Sequence, residues 1–332
     1  MAEDLAIPWG IDWLADGRML MTERDGRLTV VSDGVVTAVG QVDVTSTGEG
    51  GLLGLALHPE DEGAFFVYAT VDDEPSGTIN QVQLWRLSGD SASFEAVVFD
   101  DIPARQFHNG GRLRIGPDDK LYIGTGDAGS PDRSQDLDDP AGKLLRVNLD
   151  GSIPDDNPDP ASATWVSGIR NTQGFDWLDD GRMLITDHGP SGLPAEDGRS
   201  DHDEVSVASP GDNLGWPDIY ACEEGEGFVT SSITFAEAMP PGGAAIYTGT
   251  EIPEWQGDLI IGVMGFSSTT PHLHRLRLTD GGNVEISEVY LPDAYGRMRE
   301  VAMGPDGGLY VTTSNCDGRG TCGEGDLVLR IY

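Results

Sequence analysis

The chain has 332 residues and a formal net charge of −37, from 57 acidic and 20 basic side chains. Only Lys120 and Lys143 are lysines. Such a field repels phosphates, which excludes charge-driven binding to nucleic acid or anionic membranes; no apolar run is long enough for membrane insertion. With 38% hydrophobic residues in regular strand-like patterns, the chain reads as folded rather than disordered. A carboxylate-rich surface suits high salt, where self-repulsion is screened, and points to a halophilic source. An acidic secreted protein is the plainer alternative.

The 46 glycines and 20 prolines are the turn-rich composition of an all-β chain. In chain order, one theme recurs: an opening of small residues, an alternating apolar strand, an Asp-containing turn and a second strand. It begins at Pro8, Gly50, Asn109, Asn171, Gly242 and Arg299. A further strand follows each copy, as in GRLTVVSDG after the first and DLVLRIY after the last. Six copies predict an all-β fold, a six-bladed β-propeller with four-stranded antiparallel blades, as one domain over residues 1–332. A Greek-key sandwich has no reason to repeat its turn six times. Before the first copy only Ala2 to Ile7 remain for a closing strand. Polar inserts at 128–141, 151–166, 190–203 and 217–241 are expected at the propeller faces, where loops carry function.

No signal peptide is visible, and Met1-Ala2-Glu3-Asp4 looks like a start placed on a mature sequence. The expectation is an extracellular or cell-surface protein whose export signal is not present in this chain. Cys316 and Cys322 flank a glycine-rich loop and are close enough to bridge; two free thiols are the alternative, and Cys222 is left over.

Three segments depart from the repeat. His108 heads one copy, with Arg112 and Asp127 downstream; a histidine serves as general base near neutral pH and a carboxylate holds its tautomer. The alternative is a histidine bonded to a main-chain carbonyl. Gly168 to Gly174 gathers arginine, asparagine and glutamine, as ligand contacts or as loop-bracing groups. Asp187-His188-Gly189-Pro190, Asp203-Glu204 and the turn at 211–216 offer the oxygen donors calcium prefers, without EF-hand spacing. His272 and His274 share a strand face but lack a third ligand for zinc. No Walker, dinucleotide or G-x-S-x-G motif is present.

These motifs occur together and in order: GEGGLLGLALHP (48–59), HNGGRL (108–113), GKLLRVNLDG (142–151), SGIRNTQGF (167–175), DHGP with DEV (187–190, 203–205), GDNLGWP (211–217) and GRMREVAMGPDGGLYVTTSN (296–315). Over nearly its whole length the chain resembles the soluble pyrroloquinoline quinone (PQQ)-dependent aldose sugar dehydrogenases, the glucose/sorbosone dehydrogenase family. The resemblance implies a six-bladed propeller that oxidises a small-molecule sugar at the anomeric carbon to a lactone, with PQQ and Ca2+ as cofactors and an unknown electron acceptor. It implies that His108 is the base, oriented by Asp127, and that Arg170 stabilises the developing oxyanion. Glu49, Arg170, Asn171, Arg297 and Arg299 would lie at the PQQ. Gly189 and Pro190 would hold one calcium through main-chain carbonyls, with Asp203 near it through water; Glu204 and the Leu214 carbonyl would hold a second. Two positions depart from the family: Gly265 stands near where several relatives have a lysine, and Phe107 where a polar residue is common. A calcium-stabilised propeller that binds sugar or a partner without redox activity is the alternative reading. A metal-dependent lactonase is a third, which lacks a convincing ligand set. Substrate choice is expected in the loops at 71–80 and 217–241.

Overall fold

Four of the six copies of the repeat turn on an aspartate. Asp16, Asp118, Asp180 and Asp306 each accept, through Oδ1, the main-chain N–H two residues on, at 3.0, 3.3, 3.0 and 3.0 Å. The main chain closes over them, as in Leu14 N–H to Arg18 C=O at 2.8 Å. The side chain thereby fixes the tight turn that joins two antiparallel strands.

The computed structural model describes residues 2–73, 77–266 and 269–332; parts of the 71–80 and 262–268 stretches lie outside them. It is a six-bladed propeller of four-stranded antiparallel sheets. Blade 1 is β2 (Pro8–Trp13), β3 (Met19–Glu23), β4 (Arg27–Ser32) and β5 (Val35–Gln41). Blade 2 is β6 (Leu52–Leu57), β7 (Ala64–Asp73), β8 (Gly77–Ser88) and β9 (Ser91–Pro103). Blade 3 is β10 (Leu113–Ile115), β11 (Leu121–Gly124), β12 (Leu144–Val147) and β13 (Thr164–Val166). Blade 4 is β14 (Gly174–Trp177), β15 (Met183–Asp187), β16 (Asp203–Ala208) and β17 (Ile233–Phe235). Blade 5 is β18 (Pro241–Ile246), β19 (Leu259–Val263), β20 (His272–Leu278) and β21 (Val284–Tyr290). Blade 6 is β22 (Met298–Met303), β23 (Leu309–Thr313) and β24 (Asp326–Ile331), completed by β1 (Ala2–Leu5).

The ring closes through that first strand. Ala2 faces Val328 and Leu5 faces Asp326 across β1–β24. Glu23 and Asp326 accept the N–H groups of Ala6 and Ile7, which steer the chain from blade 6 into blade 1. The short upstream segment therefore suffices. Two outer strands differ from expectation: β13 ends, and β17 lies within, stretches that read as polar inserts. Each has only three residues and contributes mainly main-chain pairing, so no alternation marks it.

Both faces of a blade are buried, because alternate residues of a strand face opposite neighbours. Six apolar clusters fill the six gaps between blades. Leu20 packs toward blade 2, whereas Met19 and Met21 pack toward blade 6. Each fully buried side chain of this size stabilises the fold by roughly 1.5–3 kcal/mol. Near the channel, backbones approach too closely for side chains. A Cβ on Gly54 would run into the Gly111 carbonyl, and one on Gly174 would sit 2.7 Å from the Gly242 carbonyl. Asp12 and Asp176 clip neighbouring blades by accepting the Leu57 and Ile246 N–H groups, at 2.9 and 2.7 Å.

Candidate active site

His108 lies in the connection from blade 2 to blade 3. Its backbone is left-handed, φ 58°, and after Asn109 come two glycines, Gly110 and Gly111, also in positive φ at 64° and 111°. A non-glycine residue in this region is uncommon and is held by its surroundings. Here its N–H donates to Glu49 Oε2 at 2.9 Å, and its carbonyl accepts the Ala128 N–H at 3.2 Å. Tyr68 Oη donates to the Asn109 carbonyl at 2.8 Å, and the Gly110 N–H donates to Asn171 Oδ1 at 3.0 Å. The connection is thus fastened on both sides.

The His108 ring is tied at one nitrogen. Nδ1 lies 2.6 Å from Asp127 Oδ1. The same oxygen accepts the Gly129 N–H at 2.7 Å, and Oδ2 accepts the indole N–H of Trp216 at 3.0 Å. Asp127 is fully buried and acceptor-only when ionised, so it fixes the proton of His108 on Nδ1. Nε2 has no hydrogen-bond partner among the described residues. Trp216 was not singled out in the sequence; its GDNLGWP segment drew notice for its turn, although a buried indole N–H in need of an acceptor is a usable signal.

His108 lines a pocket of about 220 Å3, together with Glu49, Arg170, Gly189, Pro190, Asp203 and Arg297. Phe107 and Gly265, the two departures from the family pattern, also line it. Arg297 spans the Gly265 position, donating through Nη1 to the Met264 and Gly265 carbonyls at 2.9 and 3.0 Å. Arg299 lies outside the pocket lining, with Nη1 2.6 Å from Gln173 Oε1. Asn171 also lies outside it: its side chain braces Gly110. The N–H groups of Arg170 and Asn171 are taken by Asp187, at 2.8 and 2.7 Å. Much of the polar Gly168–Gly174 segment is therefore bracing.

Arg170 reaches the pocket as one half of a buried ion pair. Its Nη2 lies 2.6 Å from Glu196 Oε1, and both side chains are nearly inaccessible. Nη1 donates to the His188 carbonyl at 3.1 Å. Glu196 sits in the 190–203 insert and was not foreseen, since nothing local marks one acidic loop residue among many. Burial pushes His188 down to about 3, so this ring is neutral, with Nε2 against the Pro241 carbonyl at 2.6 Å.

Beside the pocket is a cavity of about 20 Å3, lined by Asp187, Gly189, Pro190, Glu204 and Leu214 among others. Burial pushes Asp187 up to about 7 and Asp203 to about 6. Burial, with Asp187 and Asp203 adding repulsion, pushes Glu204 up to about 8. Asp187 and Asp203 are satisfied by main-chain N–H groups, Asp203 through Gly189 and Met239. These carboxylates do not converge as three or more metal-type side chains among the described residues. Acidic oxygens beside main-chain carbonyls are nevertheless the donor set of a hard cation.

Fold and site together define a six-bladed propeller with a pocket that brings His108 against arginine and acidic side chains. Residues 5–328 match the family model described as Glucose / Sorbosone dehydrogenase, and the chain belongs to that family. It is 32% identical to an uncharacterized protein of Synechocystis sp., over 96% of this chain and 84% of the relative. It is 30% identical to the aldose sugar dehydrogenase YliI of Escherichia coli, over 96% and 90%. Among solved structures, the PQQ-bound form of aldose sugar dehydrogenase from Streptomyces coelicolor superposes with a TM-score of 0.86 at 32% identity, covering 99% of this chain and 95% of that one.

Proposed function

We propose that this protein oxidises aldose sugars at the anomeric carbon to lactones, using PQQ and calcium, and acts outside the cytoplasm. The observation that carries the reading is the Trp216–Asp127–His108 chain, which presents a free imidazole nitrogen to a pocket walled by arginine. The residues present fit both cofactors. Arg297 at the pocket wall, with Arg299 behind it across their shared Asp317, suits a carboxylated quinone, and the Gly189 and Pro190 carbonyls with Asp203 suit calcium. Glu204 and Leu214, around the small cavity, suit a second, structural calcium. When bound, PQQ supplies a hydride acceptor for the anomeric carbon and calcium a Lewis acid.

The chain's own groups do the rest. His108 Nε2 takes the proton of the anomeric hydroxyl, and Asp127 stabilises the imidazolium that forms. Glu49 holds the backbone from which the imidazole projects. Arg170, positioned by Glu196, places positive charge where an oxyanion develops. The Cys316–Cys322 disulfide supports an oxidising compartment.

Addition of PQQ and calcium to the apoprotein at high salt, with dye reduction followed on glucose and other aldoses, tests the reading. Turnover is expected. No turnover together with no absorbance change from bound PQQ contradicts it and favours a propeller that binds sugar without redox chemistry.

A further inference from the structure

Six charged side chains meet beside the pocket. Arg24, Glu49, Arg297, Arg299, Asp317 and Arg319 act on one another electrostatically. Four guanidiniums thus face two carboxylates, a local positive excess in a chain of net charge −37. Both carboxylates are already engaged. Asp317 Oδ2 accepts from Arg297 Nε and Nη2 at 3.1 and 2.9 Å and lies 3.5 Å from Arg299 Nη2. Glu49 accepts from His108 and from Arg319. Nε of Arg24 and Nε of Arg299 are buried without a partner among the described residues. Burial lowers Arg24, and it pushes Arg299 down to about 9. A buried excess of this kind is costly unless an anion completes it.

Two of the six come from one short loop, closed by the disulfide between Cys316 and Cys322. Asp326 holds its entrance by accepting the N–H groups of Asn315 and Cys316. Asp317 Oδ1 accepts the Arg319 N–H at 2.9 Å, which couples the inward aspartate to the outward arginine. Gly320 lets the loop pack on Arg297, where a Cβ would stand 2.8 Å from its Cδ. Arg319 lines the pocket with its side chain 48% exposed. Its guanidinium donates to Glu49 Oε1 at 3.0 Å, and the other guanidinium donors have no partner among the described residues.

We infer that Arg319, presented by the disulfide-closed loop Cys316–Cys322, is a further ligand-binding residue that grips a carboxylate of a planar polycarboxylate in the pocket. In the reading proposed above, on which this inference rests, that ligand is PQQ. A guanidinium fork matches a carboxylate in a way an ammonium does not. Its half-exposed position makes the contact sensitive to salt.

The test is equilibrium binding, read by fluorescence quenching and calorimetry, of PQQ and of benzene-1,3,5-tricarboxylate, a redox-inert polycarboxylate. Wild type, Arg319→Ala, Arg319→Lys and Cys316→Ser/Cys322→Ser are compared, with thermal melts as the check on folding. Arg319→Ala is expected to weaken both ligands about tenfold at low salt and less at high salt. Arg319→Lys recovers only part of this, because the fork is lost. The double serine variant weakens binding because the loop no longer fixes the side chain. Equal affinity for both ligands in wild type and Arg319→Ala overturns the inference and leaves the PQQ reading standing. Arg319-dependent binding of the tricarboxylate without any binding of PQQ does the reverse. A wild type that binds neither overturns both.

Discussion

Asp127→Asn is the substitution that most exposes the logic of the site. Three donors converge on two carboxylate oxygens: His108 Nδ1 and the Gly129 N–H on Oδ1, and the Trp216 indole on Oδ2. An amide of the same shape offers one oxygen and one NH2 group. With the oxygen toward His108, the NH2 group meets the Trp216 N–H, and a buried donor is left unsatisfied at a cost of about 1–3 kcal/mol. With the amide reversed, its NH2 faces His108 Nδ1, the ring proton moves to Nε2, and the atom that must accept the substrate proton is filled. Either arrangement removes the negative charge that stabilises the imidazolium. The expected loss in kcat is about 10²–10⁴-fold, the usual worth of general base catalysis. Dye-linked turnover at saturating PQQ and calcium measures it, with PQQ binding and a denaturant melt showing that the variant is folded. A folded Asp127→Asn protein within roughly tenfold of wild-type kcat would refute the assignment of Asp127 as the orienting group.

Trp216→Phe keeps an aromatic ring near Arg170, whose guanidinium lies 5.8 Å from the indole centroid, and removes only the N–H to Asp127. A loss of about 1.5–3 kcal/mol in stability and a fall in kcat are expected, whereas unchanged values would show that the indole does not support Asp127. Calcium at a hundred times its dissociation constant should stabilise the protein by about 2.7 kcal/mol, seen as a melting temperature that a chelator lowers. Glu204→Gln should shrink that response, and a melting temperature indifferent to chelator contradicts a calcium site. His274 is held by His272 at 3.2 Å and Ser287 at 3.0 Å, and burial, then His272, pushes it from 6.5 down to about 4. The unfolded chain therefore takes up this proton first. The stabilisation is present above pH 6.5 and fades as pH falls towards 4, by roughly 2–3 kcal/mol. Denaturant melts of His274→Gln should show a flatter pH profile across that window; a slope equal to wild type would contradict it.

The ring was legible because each copy carries its own instructions. An Asp-containing turn between two alternating strands states the inner hairpin, and six such statements state the blade number. The short outer strands β13 and β17 were not legible, since three residues carry no period and their pairing comes from a partner strand. His108 stood out because it broke the repeat. Its support did not: Trp216 is 89 positions from Asp127, and only the curvature of the ring brings them together. Glu196 was hidden for a different reason, being one acid in a polar insert until Arg170 is seen buried against it. Asn171 and Arg299 carry no local signal for the partners they take here, Gly110 and Gln173, which lie 61 and 126 positions away.

The central claim is that His108 takes a proton while the sugar is oxidised in this pocket. It is tested most directly by single turnover without an electron acceptor. PQQ-loaded protein is mixed with glucose, and the absorbance of bound PQQ is followed in wild type and in His108→Ala. The account predicts stoichiometric reduction in wild type, and PQQ that stays bound but is reduced at least about 10²-fold more slowly in the variant. Equal reduction rates in the two proteins would contradict it.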